Sequence, residues 1–162
     1  MTGSPTRLLA GLADASVDFV VIGAVAVVAH GHVRTTRDLD ITYAGDPENL
    51  DALGRFLVAS DARLRGVAEV VPFIPDAATL HNVELLTLEM PAGSLHLLAH
   101  PPGAPPYAEL RSRALTIDVE RRTVLVASVA DLIAMKRAAG RPRDLDDVEA
   151  LEAILRIRRA EP

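Results

Sequence analysis

One run of residues limits what this chain can fold into more than any other. An apolar segment, residues 18–22, meets a turn at Gly23-Ala24. A short apolar helix over 24–29 follows, and then a strand over 38–44 that carries Asp38 and Asp40. Side chains two apart on a strand point to the same side, so the two carboxylates share one face. They repel unless something positive lies between them, and a divalent metal ion is the usual solution. The Gly23-Ala24 turn leaves backbone N–H groups free at a helix N-terminus, where phosphate binds readily. A phosphate cradle close to a metal-binding acid pair is the equipment of phosphoryl or nucleotidyl transfer. The plainer reading is a solvent-facing acidic strand end, with Asp38 paired to its neighbour Arg37.

Length and composition bound the rest. A chain of 162 residues is expected to make one domain spanning 1–162. Its 49% hydrophobic and 24% charged content is that of an ordinary soluble globular protein. No apolar run approaches the ~20 residues of a membrane span. The opening Met-Thr-Gly-Ser-Pro-Thr-Arg lacks a charged region followed by an apolar core, so the expectation is a cytoplasmic protein with no membrane partner. The absence of cysteine excludes disulfides, thiol catalysis and cysteine metal sites. A net charge of −5 argues against broad nonspecific nucleic-acid binding, which draws on many cations, but leaves room for a local basic groove. Of seventeen basic residues only Lys136 is lysine.

The remaining pattern is mixed α and β. Residues 5–16 read as an amphipathic helix with Leu8, Leu9 and Leu12 on one side. Asp46 and Pro47 are a cap and a first helical residue for a helix to about Ser60. Residues 61–82, with Pro72, Pro75 and Asp76, read as a loop or short edge segment. Strands over 83–89 and 94–99 form a hairpin about Met90–Gly93. The proline-rich 100–106 is a stiff loop before a short helix over 107–111. Strands over 115–120 and 123–127 pair. Ser128 caps a helix, Gly140 to Pro142 break it, and a last helix spans about 143–158. His30 and His32 read as structural or surface histidines, because their spacing at a helix end does not aim both rings at one ion.

Gly23-Ala24, thirteen intervening residues and Asp38-x-Asp40 resemble the signature of the polymerase-β-like nucleotidyltransferase superfamily. The wording around His30-Gly31, Arg34, Thr36 and Asp38 to Ile41 is similar to its small bacterial branch of abortive-infection and toxin–antitoxin enzymes. A second block, from Asp131 through Lys136, Gly140, Arg143 and Asp144 to Asp147, resembles that branch's C-terminal motif. The resemblance implies an α+β fold, a small mixed sheet with helices packed mainly on one face. It implies metal-dependent transfer of a nucleoside monophosphate from a nucleoside triphosphate to an acceptor hydroxyl on tRNA, a small molecule or a protein. An antitoxin protein is a further implied partner. In that scheme Asp38 and Asp40 hold Mg²⁺ or Mn²⁺, Gly23 and Ala24 cradle phosphate, and Arg34 and Thr36 lie at the nucleotide or acceptor. Lys136 and Arg143 neutralise the triphosphate, with Asp144 orienting one of them. The plainer reading of that block is a surface helix pair in which Arg143 pairs with Asp147.

The chain departs from the superfamily at Ala24, where serine or a second glycine is common, and in its third acid. A third acid is usual on a neighbouring strand, and here Gly93-Ser94-Leu95-His96-Leu97-Leu98 puts His96 at its position. Imidazole suits Mn²⁺ better than Mg²⁺ and can serve as a base toward the acceptor. Glu84 or Glu89 could replace the acid only with a shifted register. The alternative function is a catalytically degenerate module of the same fold that binds a nucleotide or a partner.

Overall fold

The computed structural model describes residues 4–67 and 75–162. Helix α1, Pro5–Asp14, starts at Ser4, whose side chain accepts from the Thr6 N–H, and buries Leu8, Leu9 and Leu12. Strand β1, Phe19–Ile22, is buried at all four positions and runs directly into helix α2, Gly23–Ala29. Strand β2, Asp38–Tyr43, alternates as its sequence requires. Leu39, Ile41 and Tyr43 are buried, while Asp38 and Asp40 on the other face stay partly open. Helix α3, Pro47–Ala59, is capped by the Asp46 carboxylate, which accepts from the Asn49 N–H at 3.0 Å. Buried Asn49 donates to Asp18 O at 2.9 Å and Ala44 O at 2.8 Å, and accepts from the Asp18 N–H at 2.7 Å. One amide side chain thus ties together the outer ends of β1 and β2, with every partner satisfied.

Strand β3, Arg63–Leu64, helix α4, Ala77–Asn82, strand β4, Leu86–Met90, and strand β5, Gly93–Leu97, follow. Next come helix α5, Tyr107–Ser112, strands β6, Leu115–Val119, and β7, Arg122–Val126, and helices α6, Val129–Ala139, and α7, Pro142–Ala160. The strands make a mixed sheet in the order β3-β4-β5-β2-β1-β7-β6. Its centre has β1 antiparallel to β2 and parallel to β7, with β2 parallel to β5. The expected hairpin is β4–β5, closed where Met90 faces Gly93.

The reading of 61–82 as loop or edge needs correcting at its far end. The edge segment is β3, but 77–82 is helical, with the Asp76 carboxylate accepting from the Thr79 N–H at 2.7 Å. The cap lay unread beside Pro75, and six residues that bury only Leu80 leave no periodicity to see. Pro72 lies outside the described residues. Helix α7 begins at Pro142, after Gly140 ends α6 at φ 64°, which follows the preference for glycine past a helix end and proline inside the next start.

Candidate active site

The sheet supplies one wall of a cleft. Register sets Asp40 beside His96 across the β2–β5 pair, and Asp38 beside Ser94. The imidazole Nδ1 lies 2.9 Å from Asp40 Oδ1. That hydrogen bond, opposed by desolvation and aided by the charges of Asp40 and Asp38, raises the His96 pKa above its ordinary value. The other ring nitrogen, Nε2, is buried and has no hydrogen-bond partner among the described residues. Among the described residues the one cation paired with Asp38 is Arg65, at 4.0 Å, and Arg65 also reaches Glu89 at 3.3 Å.

Gly23 joins this wall from β1. Its φ is +67°, and a Cβ there would stand 2.2 Å from Asp40 Oδ2. The turn therefore requires glycine twice, for its backbone conformation and for the carboxylate that packs against it. Ala24 follows within the first turn of α2, where N–H groups lack helical partners.

The facing wall comes from α6, α7 and the segment before β2. Lys136 is buried and its Nζ lies 3.2 Å from Asp144 Oδ1 and 2.8 Å from Asp147 Oδ2. Arg34 pairs with the same Asp147, and Arg141 pairs with Asp144 at 2.6 Å. Three cations share two carboxylates, which leaves a surplus of one positive charge. Burial alone would raise the Asp144 pKa; hydrogen bonds from Arg141 and Lys136 outweigh it and hold the carboxyl below its usual range. The intrahelical Arg143–Asp147 pair of the plainer reading does not occur: Asp147 turns inward to Lys136 and Arg34. His30, buried as expected of a structural histidine, has Nε2 2.8 Å from Ala127 O.

Between the walls lies a cleft of about 540 Å³. Gly23, Ala24, Arg34, Thr36, Asp38, Asp40, His96, Lys136, Arg143 and Asp144 all line it. Arg141 lines it too and the sequence reading missed it; its signal was an arginine directly before a helix-starting proline. Asp147 holds two of the lining cations from behind, a link that spans 113 residues and leaves no local trace. Glu84 and Glu89 are not at the acid pair. Thr87 is the β4 neighbour of His96, and Glu89 stands beside Ser94, on the far side of β5 from Asp38.

Among the described residues no three His, Asp or Glu side chains converge as a ready-made metal cage. The donor set nonetheless suits Mg²⁺ held in the manner of nucleotide enzymes, by one or two carboxylates with phosphate and water oxygens completing the octahedron. Asp38 and Asp40 would supply the carboxylates.

Residues 6–158 match the family described as "Nucleotidyltransferase of unknown function (DUF6036)", and the chain belongs to that family. Solved structures agree in fold. The lincosamide antibiotic adenylyltransferase LnuA, lincomycin-bound, superposes with a TM-score of 0.61 at 15% identity, over 95% of this chain and 99% of that one. An antigenic nucleotidyltransferase-like protein from Paracoccidioides brasiliensis gives 0.58 at 18% identity, over 94% and 73%. ANT(2")-Ia in complex with adenylyl-2"-tobramycin gives 0.53 at 16% identity, over 95% and 92%. No curated protein matches the chain in sequence.

Proposed function

We propose that this protein is a single-domain, metal-dependent nucleotidyltransferase that moves a nucleoside monophosphate from a nucleoside triphosphate to an acceptor hydroxyl. The observation that carries this reading is the two-walled cleft: paired carboxylates beside a glycine turn on one side, a cationic helix pair on the other. Bound at Asp38 and Asp40, Mg²⁺ or Mn²⁺ would polarise the α-phosphate and offset charge on the departing pyrophosphate. Gly23 and Ala24 offer N–H groups to the phosphates. Lys136, Arg34, Arg141 and Arg143 balance the charge of the triphosphate from the opposite wall. The acceptor oxygen bonds to the α-phosphorus, the bond from that phosphorus to the bridging oxygen breaks, and pyrophosphate leaves. His96, its Nδ1 held by Asp40, is the group we assign as base toward the acceptor's proton.

The resemblance to toxin–antitoxin enzymes brings finer readings, a tRNA end as acceptor and an antitoxin as cytoplasmic partner. LnuA, lincomycin-bound, and ANT(2")-Ia, in complex with adenylyl-2"-tobramycin, bring small molecules instead. The deciding experiment is isothermal titration of the four nucleoside triphosphates with Mg²⁺ and then Mn²⁺, on wild type and on Asp38→Asn/Asp40→Asn. Metal-dependent binding lost in the double variant supports the site; no binding with either metal sinks it. A second reading keeps binding without transfer, favoured by the histidine at the third-acid position. It predicts nucleotide bound but not consumed, and indifferent to Asp38→Asn.

A further inference from the structure

The face of β2 that carries Asp38 and Asp40 continues to Thr42, and just past β5 the Leu98 N–H donates to Ile41 O at 3.0 Å. Leu98 and Pro101 line the cleft, and Thr42 and Pro101 line a second cavity of about 460 Å³ beyond it. Pro101 is the wall residue the two compartments share, with Asp40 on one side and Thr42 on the other. The second begins two residues past Asp40, about 7 Å along the strand.

The second cavity has a different chemistry. Its walls are chiefly apolar, from Leu80, Leu110, Ala99, Ala104 and three prolines. Its phenols are already engaged: Tyr43 Oη donates to Leu80 O at 2.6 Å and Tyr107 Oη to Asp18 Oδ1 at 2.8 Å. No lysine or arginine lines it among the described residues. The polar groups still on offer are two exposed imidazoles, His81 and His100. Its wall at 100–106 is firmly seated on α6, since a Cβ at Gly103 would stand 2.6 Å from Ala134 O. A preformed apolar chamber with satisfied walls takes an apolar body, and a polyanionic nucleic-acid end finds no cation in it.

We propose that this cavity holds the apolar body of the acceptor, a small hydroxyl-bearing molecule whose hydroxyl reaches into the cleft beside Asp40 and His96. The proposal rests on the transfer reading and names the acceptor class. The acceptor oxygen displaces pyrophosphate from the α-phosphorus, and the hydroxyl proton leaves by way of His96 or water. Chemistry at the cleft thus sets the donor, and the second cavity sets the acceptor.

Naphthyl ethanol, an apolar body with one hydroxyl, is the probe. It is titrated without nucleotide into wild type, Asp38→Asn/Asp40→Asn and Ala104→Phe, the last to fill the cavity, with amide shifts followed by NMR. The expected result is equal binding to the first two, shifts centred on Thr42, Ala99 and Tyr107, and at least tenfold weaker binding to Ala104→Phe. Should Ala104→Phe misfold, His81→Ala/His100→Ala, both surface changes, should weaken binding severalfold and keep the melting temperature. Absent binding, or shifts centred on residues 23–38 instead, overturns the cavity assignment. With a nucleoside triphosphate and Mg²⁺ added, the probe should speed pyrophosphate release severalfold in wild type and not in Ala104→Phe. Binding that leaves release unchanged, in a protein shown separately to bind nucleotide, overturns the acceptor role. If the protein binds no nucleotide, the transfer reading fails, and the binding arm alone then judges the cavity.

Discussion

The two walls of the cleft treat charge in opposite ways. On the sheet, Asp38 and Asp40 stand partly open, with one arginine at 4.0 Å and one imidazole between them and mutual repulsion. On the helices, Asp144 and Asp147 are buried and each is shared by two cations. The first wall is unbalanced until something positive arrives; the second has both its acids paired within the fold and keeps one positive charge to spare. The difference separates residues kept for a ligand from residues that hold others in place. Mutations should divide the same way, sheet acids acting on function and helix acids on stability.

The largest expected effect comes from the helix wall. Asp147→Ala leaves Lys136 and Arg34 without a shared carboxylate in a buried setting, and should cost about 3–5 kcal/mol of stability, read by urea denaturation. A loss within 0.5 kcal/mol would erase the contrast between the walls. On the sheet wall, Asp38→Asn/Asp40→Asn should lower transfer by at least about a hundredfold, or about 2.7 kcal/mol in barrier. Its thermal melting should stay level or rise, because two repelling charges are gone; a large drop in melting would make these acids structural. Gly23→Ala sits where conformation and space both forbid a side chain, and should cost about 1–3 kcal/mol together with weaker nucleotide binding.

Smallest is a pH effect behind the helix wall. Burial, with the Arg158 charge as a lesser cause, lowers the His30 pKa even though its bond to Ala127 O favours the charged form. The unfolded chain then holds more protons than the folded one below about pH 6.5. Stability is therefore full above that pH and falls as pH drops toward the folded value, by up to about 1.4 kcal/mol per pH unit. Urea midpoints from pH 7.5 to 5 should show this slope in wild type and lose most of it in His30→Gln.

What the sequence made legible follows from how local each signal is. Asp38-x-Asp40, the Gly23 turn, the Asp46 and Ser128 caps and the β4–β5 hairpin are all settled within a few residues, and each stands where the pattern put it. Helix α4 stayed hidden because a single buried leucine makes no period. The pairings Arg34–Asp147 and Asp40–His96 are tertiary facts, spanning 113 and 56 residues, and no spacing within either segment encodes them. The motif resemblance brought His96 and Lys136 to attention, yet only the fold shows what each one touches. Arg141, and the inward turn of Asp147 to Lys136 and Arg34, complete the helix wall and emerge from contact alone.

The place of β1 in the sheet has a consequence for synthesis. Its four apolar residues sit between β2, which leaves the ribosome soon after, and β7, made about a hundred residues later. Until β7 emerges, one of the most hydrophobic strands offers an unpaired edge. The nascent chain must add about a hundred residues with that edge uncovered. Translation rate and chaperone supply should therefore govern the yield of this protein more strongly than its final stability would suggest.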